Sequence, residues 1–493
     1  MTLRDHNLHV TNTLGHLRQA FEPVAPPHVG MYVCGPTVYG DAHIGHAKSY
    51  VAFDVILRYL RYLGYEVTYV QNITDVGHLT DDADAGEDKV EKAAKARRVH
   101  PMQIAEDYTR RYFEDMDRLN VRRPDISPRA SGHIIEQIEH VRRLIEAGHA
   151  YEVDGNVYFD VPSWGKYGRL SGRDVEEMQA GARVEARSEK RHPADFALWK
   201  RAEPGHIMQW HSPWGMGYPG WHIECTVMSQ KYLGDTVDIH GGGIENQFPH
   251  HENEIAQAEA ATGQPFVKYW LHNNMVTVDG QKMGKSLGNF ITLRDAIGTR
   301  EKSGKWDPMV LRLFLLQTHY RSQTDFSEEA LEAAKGGYDR LTGAAAALDK
   351  ALASAPAGET DEAIGEAVQA IRVRFDEAMD DDFNTAGALA VLFDLAREAN
   401  RALDASEATR GTVEALRNAL RELGGDVLGL AYETSAAAGA EGTTSDLVKA
   451  FIDMRAEARE RKDFETADAI RDRLGELGIV LEDAPDGTTW RFK

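Results

Sequence analysis

The sequence predicts an α/β protein in which a parallel sheet is followed by a helical region. Near the start, the apolar run VGMYVC is followed by turn-forming residues, a helix-periodic segment (GHAKSYVAFDVILRYLRYLGYE) and a second apolar run (EVTYVQNI). A strand, a glycine-bearing turn, a helix and a strand in this order are typical of parallel βαβ units. Further along, DTVDIHGGG is another apolar run that leads into glycines, and helical patterns dominate from about Asp307.

Composition predicts a globular protein with several domains. The chain has 493 residues, of which 42% are hydrophobic, so it can bury more than one core. No apolar stretch reaches the roughly 18 to 20 residues of a membrane span, and the first residues lack the apolar core of a secretion signal. We therefore expect a cytoplasmic protein with no membrane partner.

The charge of the chain limits how it can bind nucleic acid. A formal net charge of −22 argues against broad, non-specific binding, because most of the surface repels phosphate. A nucleic-acid partner would need a local basic patch. The segment RSEKRHPADFALWKR (residues 187–201) is one candidate, and a solvated charged loop is an equally good interpretation of it.

The first predicted helix carries apolar residues at spacings near three and four, namely Val51, Val55, Leu57, Leu60 and Leu63. Gly64 ends this helix, and a buried strand is predicted over residues 66–73. The segment HIGH (residues 43–46) therefore lies where a parallel strand ends and a helix begins. Exposed backbone N–H groups and the helix dipole favour phosphate at such a point.

Later segments continue the α/β pattern and then change. DTVDIHGGG (residues 235–243) predicts a strand, PHHENEIAQAEAATG a helix, and YWLHNNMVTVDGQ a pair of strands before the loop KMGKSLGN (residues 282–289). Residues 307–432 read as helices, and the small residues of 433–445 predict a linker. Two charged amphipathic helices, ended by Gly478, are predicted after the linker.

The two cysteines, Cys34 and Cys225, are core thiols or metal ligands, because a disulfide framework is uncommon in the cytosol. His250 and Glu254 are spaced i, i+4 and project from one helical face. Two thiolates, an imidazole and a carboxylate can form a tetrahedral zinc site. The spacing of His251 relative to Glu254 is also workable, so the residues alone leave both histidines open, and burial of the cysteines in a core is the commoner explanation.

Two motifs together carry a family resemblance. HIGH at a strand-to-helix turn, with KMGKS (residues 282–286) on a later loop, resembles the paired signatures of class I aminoacyl-tRNA synthetases. Within that class the chain resembles the cysteinyl-tRNA synthetases from near residue 8 to its C-terminus. The segments that carry this resemblance are MYVCGPTVYGDAHIGHAKSY, PGWHIECTVMS, GGGIENQFPHHENEIAQ and GIVLEDAPDGTTWRF.

The resemblance implies a domain organisation. Residues 1–306 would form a class I Rossmann-like catalytic domain with a parallel sheet, a zinc site and a connective insertion at about 110–215. Residues 307–432 would form an α-helical bundle that binds the tRNA stem and anticodon region. After the linker, residues 446–493 would form a small C-terminal α/β domain that recognises the anticodon.

The resemblance also implies an ATP site. His43, Gly45 and His46 would contact the phosphates, and Lys282 and Lys285 would close over the leaving pyrophosphate, with Mg²⁺ accompanying ATP. Activation of an amino acid needs alignment and charge stabilisation more than a covalent step, which suits these residue types. The loop departs from the usual KMSKS in having Gly284 for serine, so no side-chain role is expected at that position.

The amino-acid pocket is expected beside this ATP site. The resemblance implies one zinc ion per chain, held by Cys34, Cys225, His250 and Glu254, and this is what selects His250 over His251. The zinc would take the thiolate of L-cysteine as an added ligand. Thr74, Trp221 and His240 match further pocket positions of the family, although plain packing is the alternative for the first two.

Two stretches depart from the family pattern. The acidic residue after the glycine run is usually aspartate, whereas this chain has Glu245. In NITDVGHLTDDADAGEDKVEK an acidic insertion separates the lysine from the first aspartate, and a surface loop is expected there.

In the C-terminal domain, Arg459, Asp468 and Asp483 match base-contacting positions of the family, and Trp490 lies near the end. Charges on a helix surface are the competing interpretation. Hydrogen bonds to unpaired anticodon bases suit an acidic protein better than a wide phosphate-binding face does.

Three functions are compatible with these features. The first is a monomeric cysteine:tRNA(Cys) ligase that uses ATP, and the second is a ligase that activates cysteine but joins it to a small amine or amino sugar. The third is an inactive RNA-binding relative. The long helical extension after KMGKS argues against the second, and the intact motifs and ligand set argue against the third.

Overall fold

The computed structural model describes residues 3–80, 86–174, 189–405, 408–432, 447–448, 450–459, 461–476, 479–484 and 487–492. The chain forms two compact units, Met1–Ala431 and Tyr432–Lys493. The expected linker, most of the acidic insertion, Arg187 and Gly478 lie outside the described residues. Within these ranges, none of the helices combines the length and the apolar character that a membrane crossing demands.

Fourteen strands are described in the first unit. They are β1 (His9–Asn12), β2 (Leu17–Ala20), β3 (His28–Val33), β4 (Glu66–Gln71), β5 (Ala150–Val153), β6 (Asn156–Phe159), β7 (Phe196–Arg201), β8 (Trp210–Ser212), β9 (Gly215–Pro219), β10 (Val237–Gly243), β11 (Val267–Asn273), β12 (Val276–Val278), β13 (Gln281–Lys282) and β14 (Thr324–Phe326).

The α-helices of this unit flank the strands and then follow them. They are α1 (Ile44–Tyr62), α2 (Lys89–Arg97), α3 (Pro101–Arg118), α4 (Ile134–Glu146), α5 (Ile223–Leu233), α6 (His250–Thr262), α7 (Leu293–Ile297), α8 (Pro308–Leu316), α9 (Glu328–Leu352), α10 (Glu362–Asp380), α11 (Thr385–Asp404) and α12 (Arg410–Leu420).

A four-stranded parallel sheet in the order β11-β10-β3-β4 positions the candidate site. Its strands read as near-continuous apolar runs because helices cover the sheet, as in other parallel sheets. Helix α1 connects β3 to β4, and most of its residues are buried, including Phe53, Val55 and Leu57. The carboxyl ends of β3 and β10 lie side by side, with Val33 opposite Gly241. Residues that follow these two strands therefore meet at one edge of the sheet.

The connective region adds a second sheet. Five antiparallel strands in the order β5-β6-β7-β9-β8 follow α3 and α4. Its core includes Phe159, Leu198 and Trp199, and these side chains belong to the same hydrophobic cluster as Cys34 and Cys225. The inserted sheet is thereby packed against the region of the two cysteines.

The segment YWLHNNMVTVDGQ forms two strands, but they do not pair with each other as a strand pair would. β11 belongs to the parallel sheet, whereas β12 pairs with β14 and β13 in a separate three-stranded sheet. Asp279 and Gly280, both with positive φ, make the tight turn of the β12–β13 hairpin, so the partner of β12 lies on the other side of this turn. An Asp-Gly pair favours such a turn, and this signal was missed.

A buried ion pair joins α1 to the helical region. Arg312 Nη2 lies 2.5 Å from Asp54 Oδ2, and neither side chain has exposed surface. Arg312 also donates from Nε to the Leu428 carbonyl at 2.9 Å and from Nη1 to the Leu119 carbonyl at 2.8 Å. Removing one partner of such a pair costs about 3–5 kcal/mol, because the other charge stays buried. Residues before and after position 306 consequently pack within one compact unit.

The second unit has its own small core. Helical residues 450–459, helix α13 (Phe464–Glu476) and the antiparallel hairpin of β15 (Ile479–Ala484) and β16 (Gly487–Phe492) are described in it. Val448, Leu474, Ile479 and Leu481 form the core, with Trp490 packed against it. The unit thus combines helices with a hairpin, as expected for a small α/β domain.

Candidate active site and metal cluster

The HIGH turn is organised by its two histidines. His43 is the N-cap of α1, and its Nδ1 accepts a hydrogen bond from the Gly45 backbone N–H at 3.1 Å. In return, the His43 backbone N–H donates to Nδ1 of His46 at 3.2 Å. This reciprocal arrangement is a capping box in which imidazoles take the places of the usual serine and glutamate. It satisfies two donors at the helix start.

The capping box determines the tautomers of both rings. Because each Nδ1 accepts a hydrogen bond, the proton of each neutral imidazole lies on Nε2. Burial, together with the charge of Lys285, lowers the pKa of His43 to about 4. Burial and the proximity of His43 lower the pKa of His46 well below its usual value. Both rings are therefore neutral near pH 7 and carry an Nε2–H that can donate to an anion.

Gly45 is needed between the two histidines for steric reasons. A Cβ atom at this position would lie 2.9 Å from Cε1 of His43, which is closer than ordinary contact allows. Any other residue would displace the His43 ring and disturb the cap.

The KMGKS loop lies against the HIGH turn. The Ile44 N–H donates to the Ile291 carbonyl at 3.3 Å, and the Leu293 N–H donates to the Ala42 carbonyl at 2.8 Å. Lys285 Nζ lies 5.0 Å from the centroid of the Phe290 ring, and the same ring packs edge-on against His43. The structure therefore brings Lys285 close to the histidines, as expected.

Lys282 lies on β13 at the start of the loop, and its side chain is exposed like that of Lys285. Its carbonyl accepts from Asn289 Nδ2 at 3.1 Å, and Asn289 Oδ1 in turn accepts from the Gly284 N–H at 2.9 Å. The side chain of Asn289 thus closes the loop by binding its backbone at two points. Gly284 has an extended backbone conformation that does not require glycine.

Cys34, Cys225, His250 and Glu254 converge at the edge of the parallel sheet. Cys34 directly follows β3, Cys225 lies in α5, and the other two lie one turn apart in α6. All four are buried, and one ligand atom of each lies within 4.8 Å of the others. The two Sγ atoms are 3.9 Å apart, and His250 Nε2 is 3.2 Å from Glu254 Oε1. Around zinc, with bonds of about 2.0–2.3 Å, tetrahedral ligand atoms lie about 3.3–3.8 Å apart, so the donor set fits a tetrahedral metal ion.

A second grouping shares two of these residues. Cys34, Glu254, His240 and His251 also bring their ligand atoms within 4.8 Å of one another, and His251 Nε2 is 3.1 Å from Cys34 Sγ. The partner of His240 is Glu254, inside this grouping, whereas His251 has a partner outside it, as His250 of the first grouping has in His222, with Nδ1 atoms 2.9 Å apart. His240 Nε2 lies 2.9 Å from Glu254 Oε2, and His251 Nδ1 lies 2.7 Å from His272 Nε2.

The cavity favours the first grouping as an open site. A cavity of about 490 Å³ is lined by Cys34, Cys225 and His250 of the first grouping, whereas only Cys34 of the second grouping lines it, and Glu254, shared by both, does not. A metal that must also reach a ligand needs protein donors that face open space. His240 contacts Glu254 through its Nε2, and its expected place in the pocket stays a prediction.

Burial shifts the pKa of every group in the cluster towards its neutral form. Burial raises the pKa of Cys34 to about 11 and that of Cys225 well above its usual value. Burial also raises the pKa of Glu254 and lowers that of His250 far from their ordinary ranges. Without a positive charge, all four groups are held neutral, whereas a bound cation deprotonates coordinating thiols.

The same cavity holds the two HIGH histidines. His43, His46 and Thr74 line it together with Trp221. The indole of Trp221 stacks on the ring of His78, with centroids 3.9 Å apart and planes 8° apart, and its centroid is 4.4 Å from that of His250. One continuous space therefore joins the start of helix α1 to the group of Cys34, Cys225 and His250, which with Glu254 could hold a metal ion.

Among the cavity-lining residues that sequence reasoning missed are Asn72, His78, Lys89 and Glu224. Glu224 directly precedes Cys225, which was a signal for its position. Lys89 is the lysine that follows the acidic insertion, and its Nζ lies 2.8 Å from His78 Nε2. Lys89 therefore lines the cavity although the insertion separates it from the first aspartate by more residues than in the family pattern.

The candidate anticodon residues lie in the second unit. Arg459 and Asp468 are exposed on helical segments, and Asp483 belongs to β15. Trp490, on β16, packs against the small core instead of facing solvent fully.

The fold is that of the class I aminoacyl-tRNA synthetases. A Mycobacterium tuberculosis methionyl-tRNA synthetase in complex with methionyl-adenylate matches with a TM-score of 0.57 at 16% identity, over 82% of this chain and 92% of that one. An Agrobacterium radiobacter LeuRS in a complex with tRNA and LeuAMS matches with a TM-score of 0.60 at 12% identity, over 85% of this chain and 86% of the other.

Sequence similarity narrows this class to one family. The class I (C) catalytic domain of tRNA synthetases matches residues 20–336, the DALR domain matches 374–433, and the cysteinyl-tRNA ligase anticodon binding domain matches 444–491. The cysteine–tRNA ligases of Chlorobaculum tepidum and Deinococcus radiodurans are 54% and 51% identical, over 99% of this chain and 99% and 98% of theirs. The chain therefore belongs to the cysteine–tRNA ligase family, and the predicted resemblance and fold class are confirmed.

Proposed function

We propose that this protein activates L-cysteine with ATP and transfers it to the 3′ end of tRNA(Cys). The observation that carries the proposal is the shared cavity, in which the HIGH histidines and the two thiols face one space. A carboxylate oxygen of cysteine attacks the α-phosphorus of ATP, the bond to pyrophosphate breaks, and cysteinyl-adenylate forms. A ribose hydroxyl of the tRNA then attacks the cysteinyl carbonyl, and AMP leaves.

The ATP half of the reaction is assigned to the HIGH turn and the KMGKS loop. The Nε2–H groups of His43 and His46 donate to the phosphate oxygens, while Gly45 allows the phosphates to approach the backbone. Lys285 and Lys282 neutralise the leaving pyrophosphate, with Mg²⁺ on the ATP. Preorganised donors of this kind lower the barrier because they are already aimed where charge develops.

The cysteine half is assigned to the metal cluster. Cys34, Cys225, His250 and Glu254 would hold one Zn²⁺, which supplies a positive charge and a further coordination position for the substrate thiolate. Thr74 and Trp221 line the space beside it, and His240 positions Glu254 through their 2.9 Å contact. Cys34 and Cys225 are free thiols in the structure. Reduced thiols are typical of the cytosol, so we also propose a cytoplasmic protein.

Recognition of tRNA is assigned to the later parts of the chain. We propose that residues 307–432 bind the stem and that residues 446–493 read the anticodon through Arg459, Asp468 and Asp483, with a monomer as the working form. The match to an anticodon binding domain over residues 444–491 supports this assignment. Ligation of cysteine to a small amine or amino sugar is not favoured, because relatives named as cysteine–tRNA ligases match over 99% of the chain.

The test is cysteine-dependent exchange of pyrophosphate into ATP, followed by charging of transcribed tRNA(Cys). We expect exchange without tRNA and cysteinylation with it. Exchange without any charging would favour a different acceptor, and the absence of exchange would contradict the proposal.

A further inference from the structure

Glu224 is a buried carboxyl with one unused oxygen at the amino-acid end of the cavity. The residue is 1% exposed and lines the cavity. Its Oε1 accepts from the Thr74 hydroxyl and lies 3.4 Å from Asn72 Nδ2. Its Oε2 has no hydrogen-bond partner among the residues that the structure describes. A buried carboxylate oxygen without a donor is costly, so such an atom points to a missing ligand.

The surrounding network leaves no donor for this oxygen. The Gly35 N–H donates to Asn72 Oδ1 at 2.8 Å, so the Asn72 amide must present its Nδ2 to Thr74, at 3.1 Å. The Thr74 hydroxyl accepts this bond and donates its only proton in a hydrogen bond to Glu224 Oε1. The chain of donors therefore runs from the backbone through Asn72 and Thr74 and ends at Glu224. The atom left without a partner among the described residues, Oε2, is therefore an acceptor on a residue of the cavity wall.

The ligand chemistry follows from this acceptor and from its neighbours. Glu224 directly precedes Cys225, whose thiol belongs to the metal cluster, and it shares the cavity wall with Cys34 and Thr74. A cysteine bound there by its sulfur carries an α-ammonium a few bonds away, with three N–H donors. We propose that Glu224 Oε2 accepts a hydrogen bond from the α-ammonium of the substrate. This inference rests on the proposed function and adds a specificity-determining residue to it.

The substitution Glu224→Gln tests this role without changing the shape of the side chain. The Thr74 hydroxyl needs an acceptor, so the amide oxygen takes the place of Oε1. The amide NH₂ then replaces Oε2 and presents donors to an ammonium that also has only donors. The variant should thus lose the contact in full.

Three thiols are titrated separately into the zinc-loaded full-length protein, and calorimetry gives the dissociation constant of each. Cysteine and cysteamine carry an amine, whereas 3-mercaptopropionate keeps the thiol and carboxylate but lacks the amine. For Glu224→Gln we expect the first two constants to rise about 10- to 100-fold, as for a lost hydrogen bond to a charged group, and the third to change less than about twofold.

A matched control is Glu252→Gln, which alters another buried carboxyl. Glu252 accepts from the backbone N–H groups of Gly168, Leu170 and Ser171 and does not line the cavity, so any loss should fall equally on the three thiols. Equal effects on all three thiols in Glu224→Gln, no effect on any, or loss of zinc from the variant would overturn the inference. Normal discrimination by amine in a protein that lacks pyrophosphate exchange would contradict the proposed function instead.

Discussion

The backbone N–H of His43 donates to Nδ1 of His46 at 3.2 Å, and the two imidazoles stack with their centroids 3.8 Å apart. The residues that cap helix α1 are thus the same residues that face the cavity. The helix cap uses Nδ1 of each ring and the proposed phosphate contact uses Nε2, so substitutions can separate the two roles.

His43→Asn should keep the helix cap but lose activity. Asparagine is among the best N-cap residues, and its side-chain oxygen can replace Nδ1, but it offers nothing in place of Nε2–H. We expect a change in unfolding free energy of less than about 0.5 kcal/mol and a loss in kcat for pyrophosphate exchange of about 10²–10³-fold. Urea unfolding and steady-state exchange measure the two effects.

His43→Ala serves as the control, since it removes both nitrogens. It should lose activity to a similar extent and also lose about 1 kcal/mol of stability with the cap. Full activity in His43→Asn would show that Nε2 does not contact the phosphates.

The depressed pKa of His43 predicts a loss of stability in acid. Its value is about 4 in the folded protein, against about 6.5 in an unfolded chain. Between these values the unfolded state binds more protons, so the stabilisation is fully present above about pH 6.5 and falls as the pH drops towards 4. Between pH 7 and pH 5 we expect wild type to lose about 1–2 kcal/mol more than His43→Asn, which cannot titrate there. Equal acid sensitivity of the two proteins would mean that His43 is not held neutral by the fold.

Cys34→Ser should release the metal. A neutral hydroxyl replaces a charged, soft thiolate, so we expect zinc affinity to fall by about 100-fold or more. Metal analysis after dialysis at neutral pH gives the stoichiometry directly. Retention of one zinc per chain would refute Cys34 as a ligand.

Two neighbouring histidines provide a sharper test of the ligand set. His250 lines the cavity and His251 does not, although both lie near Glu254. His250→Ala should lose zinc, while His251→Ala should retain it with an affinity reduced by about 10- to 100-fold, the usual range for supporting residues. The reverse result would assign the metal to the grouping with His240.

Deleting residues 446–493 should separate activation from charging. These residues belong to a compact unit with its own core of Val448, Leu474, Ile479 and Leu481, so we expect the first unit to fold without them. We expect cysteine-dependent exchange within about twofold of wild type and a fall in kcat/KM for tRNA(Cys) of about 10-fold or more. Equal loss of both activities would show that the tail supports the catalytic fold, and equal retention would remove the basis for an anticodon role.

The sequence predicted which segments are strands and helices better than it predicted their partners. The apolar runs at residues 28–33 and 237–243 and the helix after HIGH were found because period and burial are local properties. The pairing of β12 with β14 was not found, since residues 276–278 and 324–326 are joined only by the fold. The five-stranded inserted sheet was not predicted for the same reason.

The same distinction between local sequence properties and contacts made by the fold applies to the candidate site. Cys34 and the HIGH histidines were singled out by motif, whereas spacing in α6 left His250 and His251 open and the family resemblance selected His250. Glu224 and Asn72 were missed, because a buried carboxyl or amide looks ordinary until its hydrogen-bond partners are known. The sequence did not predict that His240, in the middle of β10, contacts Glu254, because that contact is made by packing between a strand and a helix.

The most direct test of the account is discrimination between cysteine and serine at the activation step. The central claim is that the cavity selects its substrate by a thiol that reaches the cluster of Cys34, Cys225, His250 and Glu254. An apolar pocket could reject serine by only about 10- to 200-fold, whereas a site that depends on one specific polar contact reaches about 10⁴–10⁵-fold. The measurement is kcat/KM for pyrophosphate exchange with each amino acid, together with hydrolysis of mischarged Ser-tRNA(Cys). The account predicts a ratio of at least about 10⁴ and no hydrolysis above background. A ratio below about 200 combined with rapid hydrolysis would show that fidelity arises by editing, and the thiol-selective cluster would be the wrong explanation.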